Sequence, residues 1–288
     1  EYDTWNMDPK ALERAFRKYP DVKVVVLAHL YGTPSKMDEI LDICNAHNAI
    51  LIEDAAESLS ATYKGKQTGS FGKFNVVSFN GNKIITTSGG GMLLTDDEEA
   101  AEKARKWSTQ ARDAAPWYQH TELGYNYRMS NILAGIGRGQ MLHLEEHKAR
   151  KKEIYERYRK GLAGLPVQMN PYLTDTDPNF WLSCLLVDGD AMTEQIRSDH
   201  DSRYTKESGK SCPDEIREVL ASYNIETRPI WKPMHLQPIY ADHDFITAVD
   251  GVCADEDIFN RGLCLPSDIK MTVEEQDAVI EIICGLFA

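Results

Sequence analysis

Several features are scarce in these 288 residues, and each scarcity removes a class of protein. No apolar run approaches the ~20 residues that cross a bilayer, so the chain reads as a soluble one, not a membrane protein. No charged-then-apolar leader opens it, so a cytoplasmic location is expected. Its first residue is Glu1 rather than Met, which suggests a processed or truncated piece. The six cysteines (Cys44, Cys184, Cys212, Cys253, Cys264, Cys284) contain no Cys-x-x-Cys pair and no His/Cys grouping at zinc spacing. Reduced thiols and no metal are the expectation. His29, His120 and His235 likewise lack partners at ligand spacing and read as structural. Lys and Arg number 32 against 45 Asp and Glu, a net charge of −13. Nucleic-acid phosphates demand a basic face, so no nucleic-acid partner is expected. An anionic ligand must then be held by local cations and backbone N–H groups rather than drawn in by the global field. Gly89-Gly90-Gly91 belongs to no GxxxxGK[ST] run, which removes the P-loop, and no internal repeat is visible.

The length suits two domains. Asp8 followed by Pro9 predicts a helix start, with Leu12, Ala15, Phe16 and Tyr19 on one apolar face. Residues 22–30 are β-branched and apolar on both faces, the pattern of a strand inside a parallel sheet covered by helices. Tyr31-Gly32-Thr33-Pro34 turns into a helix over about 36–46, and a strand follows at 49–53, a βαβ unit. Strands are predicted at 74–79 and 91–95, a polar helix at 97–110, and helix almost throughout 130–162, weakened by Gly135, Gly137 and Gly139. The remainder predicts strands at 180–187 and 225–230, and helices near 213–223 and 272–286. Thr272 and Glu275 form a capping box at the start of the last helix. The polar stretch 199–211 reads as a mobile loop. A boundary near residue 150 divides the chain into 1–150 and 151–288.

The chemistry centres on Lys83. It lies between the apolar strand ending at Ser78-Phe79 and the glycine run Gly89-Gly90-Gly91. A lysine in such a place can carry its amine into a partly dry pocket, where its pKa falls and it becomes a nucleophile. The apolar stretch Ala49-Ile50-Leu51-Ile52 delivers Glu53-Asp54-Ala55-Ala56 at a strand's carboxyl end. Bound pyridoxal phosphate needs an amine, an anion to keep its ring nitrogen protonated, and a nest of hydroxyls and amides for its phosphate. Lys83, Asp54 and the Ser78 hydroxyl can supply these. With an effective dielectric near 20, a carboxylate about 4 Å from a pyridinium is worth roughly 4 kcal/mol. Against this, a lysine beside glycines is commonly a solvated loop residue, and Asp54 could equally cap a helix or bind a metal.

The order and spacing of Glu53-Asp54-Ala55-Ala56-Glu57-Ser58, Gly69-Ser70-Phe71-Gly72, Ser78-Phe79 with Lys83 and Thr86-Thr87, Gly90-Gly91, and Gly124-Tyr125-Asn126-Tyr127-Arg128-Met129 resemble the DegT/DnrJ/EryC1/StrS family of nucleotide-sugar aminotransferases. The stretch from Arg228 to Pro238 (Arg-Pro-Ile-Trp-Lys-Pro-Met-His-Leu-Gln-Pro) resembles its bacillosamine-type branch, acting on UDP-linked 4-keto-6-deoxy-N-acetylhexosamines. The resemblance implies a type I pyridoxal phosphate aminotransferase fold: an α/β domain with a mostly parallel sheet, here truncated, then a smaller α+β domain. It also implies that the chain begins after the third strand of a sheet of about seven. It makes Lys83 the Schiff-base lysine, Asp54 the partner of the ring nitrogen and Ser78 a phosphate ligand. Asn126 would reach the phosphate of a neighbouring subunit, hence a homodimer with shared sites. Glu57 stands where Gln is common near the cofactor's 3-hydroxyl, a departure that alters the proton balance. Arg228, Trp231 and His235 are carried over on the substrate side. The implied reaction passes an amino group from L-glutamate to C4 of a nucleotide-linked keto sugar, with lysine as base and acid. Two alternatives stand beside it: a sugar 3-dehydratase on the same fold, in which histidine replaces the lysine, and a non-catalytic protein that holds the sugar nucleotide or cofactor.

Overall fold

A computed structural model describes residues 1–198 and 200–288; Asp199, the first residue of the expected loop, lies outside the described residues. Helix α1 (Pro9–Lys18) starts where its cap dictates. The Asp8 carboxylate accepts from Lys10 N–H at 2.7 Å, and Pro9 occupies the first turn, where no N–H is needed. Strand β1 (Val24–Ala28), helix α2 (Met37–Ala46) and strand β2 (Ile50–Asp54) form the βαβ unit, β1 and β2 running parallel with Ala28 opposite Asp54. A short hairpin, β3 (Thr62–Tyr63) and β4 (Lys66–Gln67), precedes β5 (Phe74–Ser78) and β6 (Gly91–Leu94). The sheet order is β1-β2-β5-β6, with β5 parallel to β2 and β6 antiparallel to β5. The carboxyl ends of three parallel strands therefore meet at one edge, the position at which open α/β sheets place their ligands.

One expectation needs correction here. Among the described residues strand β1 lies at the edge of the four-stranded sheet rather than in its middle, and Val24 and Val26 are exposed. Helices α1 and α2 pack Leu12, Phe16, Met37 and Ile40 against Val25, Leu27 and Leu51, which covers one face only. Strand β6 is exposed along its whole length.

Helix α3 (Glu98–Ser108) is capped by Asp97 and buries none of its residues. The helical stretch 130–162 is two helices, α4 (Asn131–Met141) and α5 (Leu144–Gly161), broken at Leu142-His143. Its amino-terminal Leu144 packs with Ala55, Val77, Phe79 and Ile85, whereas Ile154, Tyr158 and Leu162 enter the other core. That core lies against the sheet β12-β13-β9-β7. Its strands are β7 (Val167–Met169), β9 (Cys184–Val187), β12 (Arg228–Pro229) and β13 (Gly262–Cys264). Strand β8 (Thr176–Asp177) instead pairs with β3. The expected loop holds structure: within it β11 (Ser202–Tyr204) pairs antiparallel with β10 (Gln195–Arg197), which precedes it. Helix α6 (Pro213–Ser222), α7 (Ala254–Arg261) and α8 (Val273–Leu286) complete the fold. In α8 the Thr272 hydroxyl accepts from Glu275 N–H at 3.1 Å while Thr272 N–H donates to the Glu275 carboxylate at 2.8 Å. Among the described residues no helix is long and apolar enough to cross a membrane.

Candidate active site

The turn after β1 builds one wall of the site. Tyr31 (φ 56°) and Gly32 (φ 85°) both adopt left-handed backbone. A Cβ on Gly32 would lie 1.7 Å from the Asn179 side-chain oxygen, so only glycine lets Asn179 in. Asn179 then donates to the carbonyls of Glu57 and Leu59 at 2.8 and 2.9 Å, fixing the segment after β2 from a residue far along the chain. The same turn aims Tyr31 N–H at the Glu57 carboxylate, 2.7 Å away, and the buried Tyr31 hydroxyl accepts from Trp231 N–H at 2.9 Å.

Lys83 reaches this pocket from the loop after β5. Its side chain is only 12 % exposed, and the amine sits 4.2 Å from the centre of the Trp181 ring. Glu57 Oε1 stands 3.9 Å away, an ion-pair distance rather than a hydrogen bond. Burial pulls the Lys83 pKa below the ordinary lysine range; the carboxylates of Glu57 and Asp54 push the other way and lose. Burial raises the Glu57 pKa, opposed by the Tyr31 N–H, by Lys83 and by the indole N–H of Trp231, which lies 3.4 Å from Oε1. Each partner is thus held nearer its neutral form than it would be in water, which eases proton exchange between them.

Lys83, Glu57, Asp54 and Trp231 are brought together. Asp54, at the end of β2, acts electrostatically on both Lys83 and Glu57, and its carboxylate accepts from Ala56 N–H at 3.0 Å. Ser78 is half-buried at the end of β5, its hydroxyl accepting from Asn80 N–H at 3.3 Å. Three other residues stand elsewhere. Asn126 is exposed and forms an isolated antiparallel bridge with Thr109. Arg228 is exposed and paired with Glu226. His235 is tied to Glu256 and Asp255. Sequence reasoning missed Tyr31 and Trp181. Tyr31 carried a weak signal in its Tyr-Gly turn; Trp181 carried none, because a tryptophan far along the chain is indistinguishable from core.

These residues fit pyridoxal phosphate. The amine is sunken, its pKa is lowered and, among the described residues, no hydrogen bond ties it down; a carboxylate lies at the strand end beside it; and a serine stands at the end of β5. Comparison with known proteins agrees. The model of the DegT/DnrJ/EryC1/StrS aminotransferase family matches residues 1–284. EpsN of Bacillus subtilis, named as a pyridoxal phosphate-dependent aminotransferase, is 47 % identical over 292 residues, covering all of this chain and 70 % of that protein. The GDP-perosamine synthase of Caulobacter vibrioides is 35 % identical, covering 96 % of this chain and 69 % of that protein. The fold is that of a DegT DnrJ EryC1 StrS aminotransferase from Brucella abortus, with a TM-score of 0.83 at 22 % identity, over the whole of this chain and 72 % of the other. The chain belongs to the DegT/DnrJ/EryC1/StrS family of pyridoxal phosphate-dependent nucleotide-sugar aminotransferases.

Proposed function

We propose that this chain transfers the amino group of L-glutamate to C4 of a nucleotide-linked 4-keto-6-deoxy sugar, a UDP-N-acetylhexosamine derivative being the leading candidate. The observation that carries the reading is the Lys83 amine, 12 % exposed, with its pKa lowered by burial and two carboxylates at hand. When bound, pyridoxal phosphate supplies the electron sink for the carbon from which the proton is removed. Lys83 then takes and returns that proton at its Nζ, and the Trp181 face beneath it limits access by water. Asp54 supplies the negative charge that holds the ring nitrogen cationic. Ser78 offers a hydroxyl to the phosphate. Glu57 orders the far side through Tyr31 and Trp231, and Trp231 is assigned to the sugar-nucleotide side.

A homodimer belongs to the same reading, with Asn126 serving the neighbouring site. Helix α4 buries none of its residues and exposes Ile132 and Ile136, with Met141 at its end, beside the stacked Tyr125–Tyr127 pair. Such an apolar surface suits a subunit contact. The division into domains at about residue 150 is likewise part of the proposal.

The test is a panel of 4-keto nucleotide sugars, UDP- and dTDP-linked, incubated with glutamate and pyridoxal phosphate and read by product mass. A product carrying one amine in place of the ketone, with matching 2-oxoglutarate, is expected. Independently of turnover, borohydride reduction should leave the cofactor's mass on the Lys83 peptide; label on another lysine would contradict the assignment.

A further inference from the structure

Outside the Lys83 pocket the fold assembles a second set of donor atoms that sequence spacing did not reveal. His235 comes from a short helical turn, while Cys253, Asp255 and Glu256 surround the first turn of α7. Donor atoms of His235, Cys253 and Asp255 all lie within 4.8 Å of one another. Cys253 Sγ is 3.8 Å from His235 Nε2 and 3.2 Å from Asp255 Oδ1. Glu256 Oε1 is 2.8 Å from the same Nε2, and Asp255 Oδ2 is 3.3 Å from Nδ1. Although it faces that carboxylate, Nδ1 is fully buried and makes no hydrogen bond. The His235 side chain is 14 % exposed, with the Phe245 ring stacked on it at 3.7 Å.

The geometry points to a zinc site: one divalent ion bound by the His235 imidazole, the Cys253 thiolate and the neighbouring carboxylates. A mixed nitrogen, sulfur and oxygen set favours Zn²⁺ over Mg²⁺ or Ca²⁺, which select oxygen alone. Tetrahedral zinc, with bonds of ~2.0 Å to nitrogen and ~2.3 Å to sulfur, sets those atoms about 3.5 Å apart. The observed 3.8 Å needs adjustment by a few tenths of an ångström. A purely hydrogen-bonded cluster accounts less well for the arrangement. Nε2 faces both the Glu256 carboxylate and the Cys253 sulfur, more groups than one ring nitrogen can bond, and among the described residues the buried Nδ1 has no hydrogen bond. A carboxylate on the second ring nitrogen is also how protein-bound metal–histidine pairs are oriented. Binding replaces the Cys253 S–H bond with a Zn–S bond and releases one proton to solvent; nothing is oxidised or reduced. His235 and Asp255 also line a cleft of about 790 Å³, which gives the ion a way in. The ligands come from either end of residues 236–252, so the ion would pin that loop to α7.

Zinc content should be measured by mass spectrometry after dialysis of the full chain against metal-free buffer with one equivalent of Zn²⁺ restored. Co²⁺ substitution should be read in the visible d–d bands. We expect one zinc per chain, tetrahedral cobalt bands, and slower proteolysis within 236–252 when the ion is present. Cys253→Ser and Glu256→Gln are near-isosteric and should weaken binding by at least the ~100-fold that loss of an outer partner can reach. Substoichiometric zinc in the wild type, octahedral cobalt bands, or equal binding by both variants would overturn the site. Circular dichroism of each variant separates lost ligation from lost fold.

Discussion

Glu53 and Glu57 lie four residues apart on one segment, and their environments are opposite. Glu53 is completely buried. It pairs with His29 at 2.9 Å and accepts N–H bonds from Gly69, Phe71 and Gly72 at 2.8, 2.5 and 2.8 Å. Burial pushes its pKa up, but His29 and the glycine N–H groups outweigh it and hold the carboxyl below the ordinary range. Glu57 has one close backbone donor and two distant side-chain partners, so burial wins and its pKa rises. The saturated acid holds structure; the undersatisfied one is left able to gain a proton. Two lysines differ in the same way in their partners, although burial lowers the pKa of both. Lys151 is buried with its amine donating to the carbonyls of Trp181 and Ser267 at 3.0 and 2.5 Å, whereas Lys83 rests on an indole face with its nearest acid at 3.9 Å.

The sharpest break in this comparison is Lys83→Ala. Turnover should fall below a few per cent and the reducible cofactor adduct should vanish, while the melting temperature stays within a few degrees. Collapse of the fold would make Lys83 structural after all. Asp54→Asn should lower turnover by up to about a thousandfold, since a charge contact worth roughly 4 kcal/mol is removed from the ring nitrogen. Cofactor affinity should change much less; equal losses would make Asp54 a scaffold residue.

Glu53→Gln and Glu57→Gln test the paired acids directly by denaturant unfolding. The first strands His29 and places an NH₂ against backbone donors, and should lose about 3 kcal/mol. The second should stay within about 1 kcal/mol, while moving the pH dependence of cofactor trapping on Lys83 to lower pH, because an anion that stabilises the ammonium is gone. The stability–pH curves should differ in sign as well. The Glu53 contribution is present above its ordinary value of 4.5 and disappears as pH falls through its lower folded value. The Glu57 contribution is full below 4.5 and is lost as pH rises through its higher folded value. Glu57→Gln should remove that second slope, and its persistence would put the proton elsewhere.

A smaller effect than at Glu53 belongs to Lys151, whose pKa burial lowers to about 8. The folded chain sheds this proton before the unfolded one, so stability should climb as pH rises from about 8 towards 10.5. Lys151→Met should flatten that rise and, by leaving two buried carbonyls unpaired, lower stability by about 1–3 kcal/mol at pH 7.

Much of the layout was legible in local chemistry. Asp8 with Pro9 and Thr272 with Glu275 announce their helices, because capping bonds close within a few residues. The β-branched runs mark β1 and β2, and the spacing from Asp54 to Lys83 brings both to one sheet edge. Apolarity on both faces of residues 22–30 predicts a covered strand but says nothing about which neighbours are present to cover it. The hairpin of β10 and β11 escapes a sequence reading because each strand is only three residues long and is ordered by pairing.

Sequence fixed which residue types stand at the strand ends, since alternation, turn glycines and helix caps act over a few positions. It could not say which of two nearby glutamates would be saturated, because the donors that separate Glu53 from Glu57 arrive from 16 to 19 residues away in Gly69, Phe71 and Gly72. Nor could it foresee Trp181 beneath Lys83, or His235 beside Cys253, both joined across long stretches of chain. Folding chose those partners, and burial gave them their charge states, because the penalty on an ionised group depends on every donor that surrounds it in three dimensions.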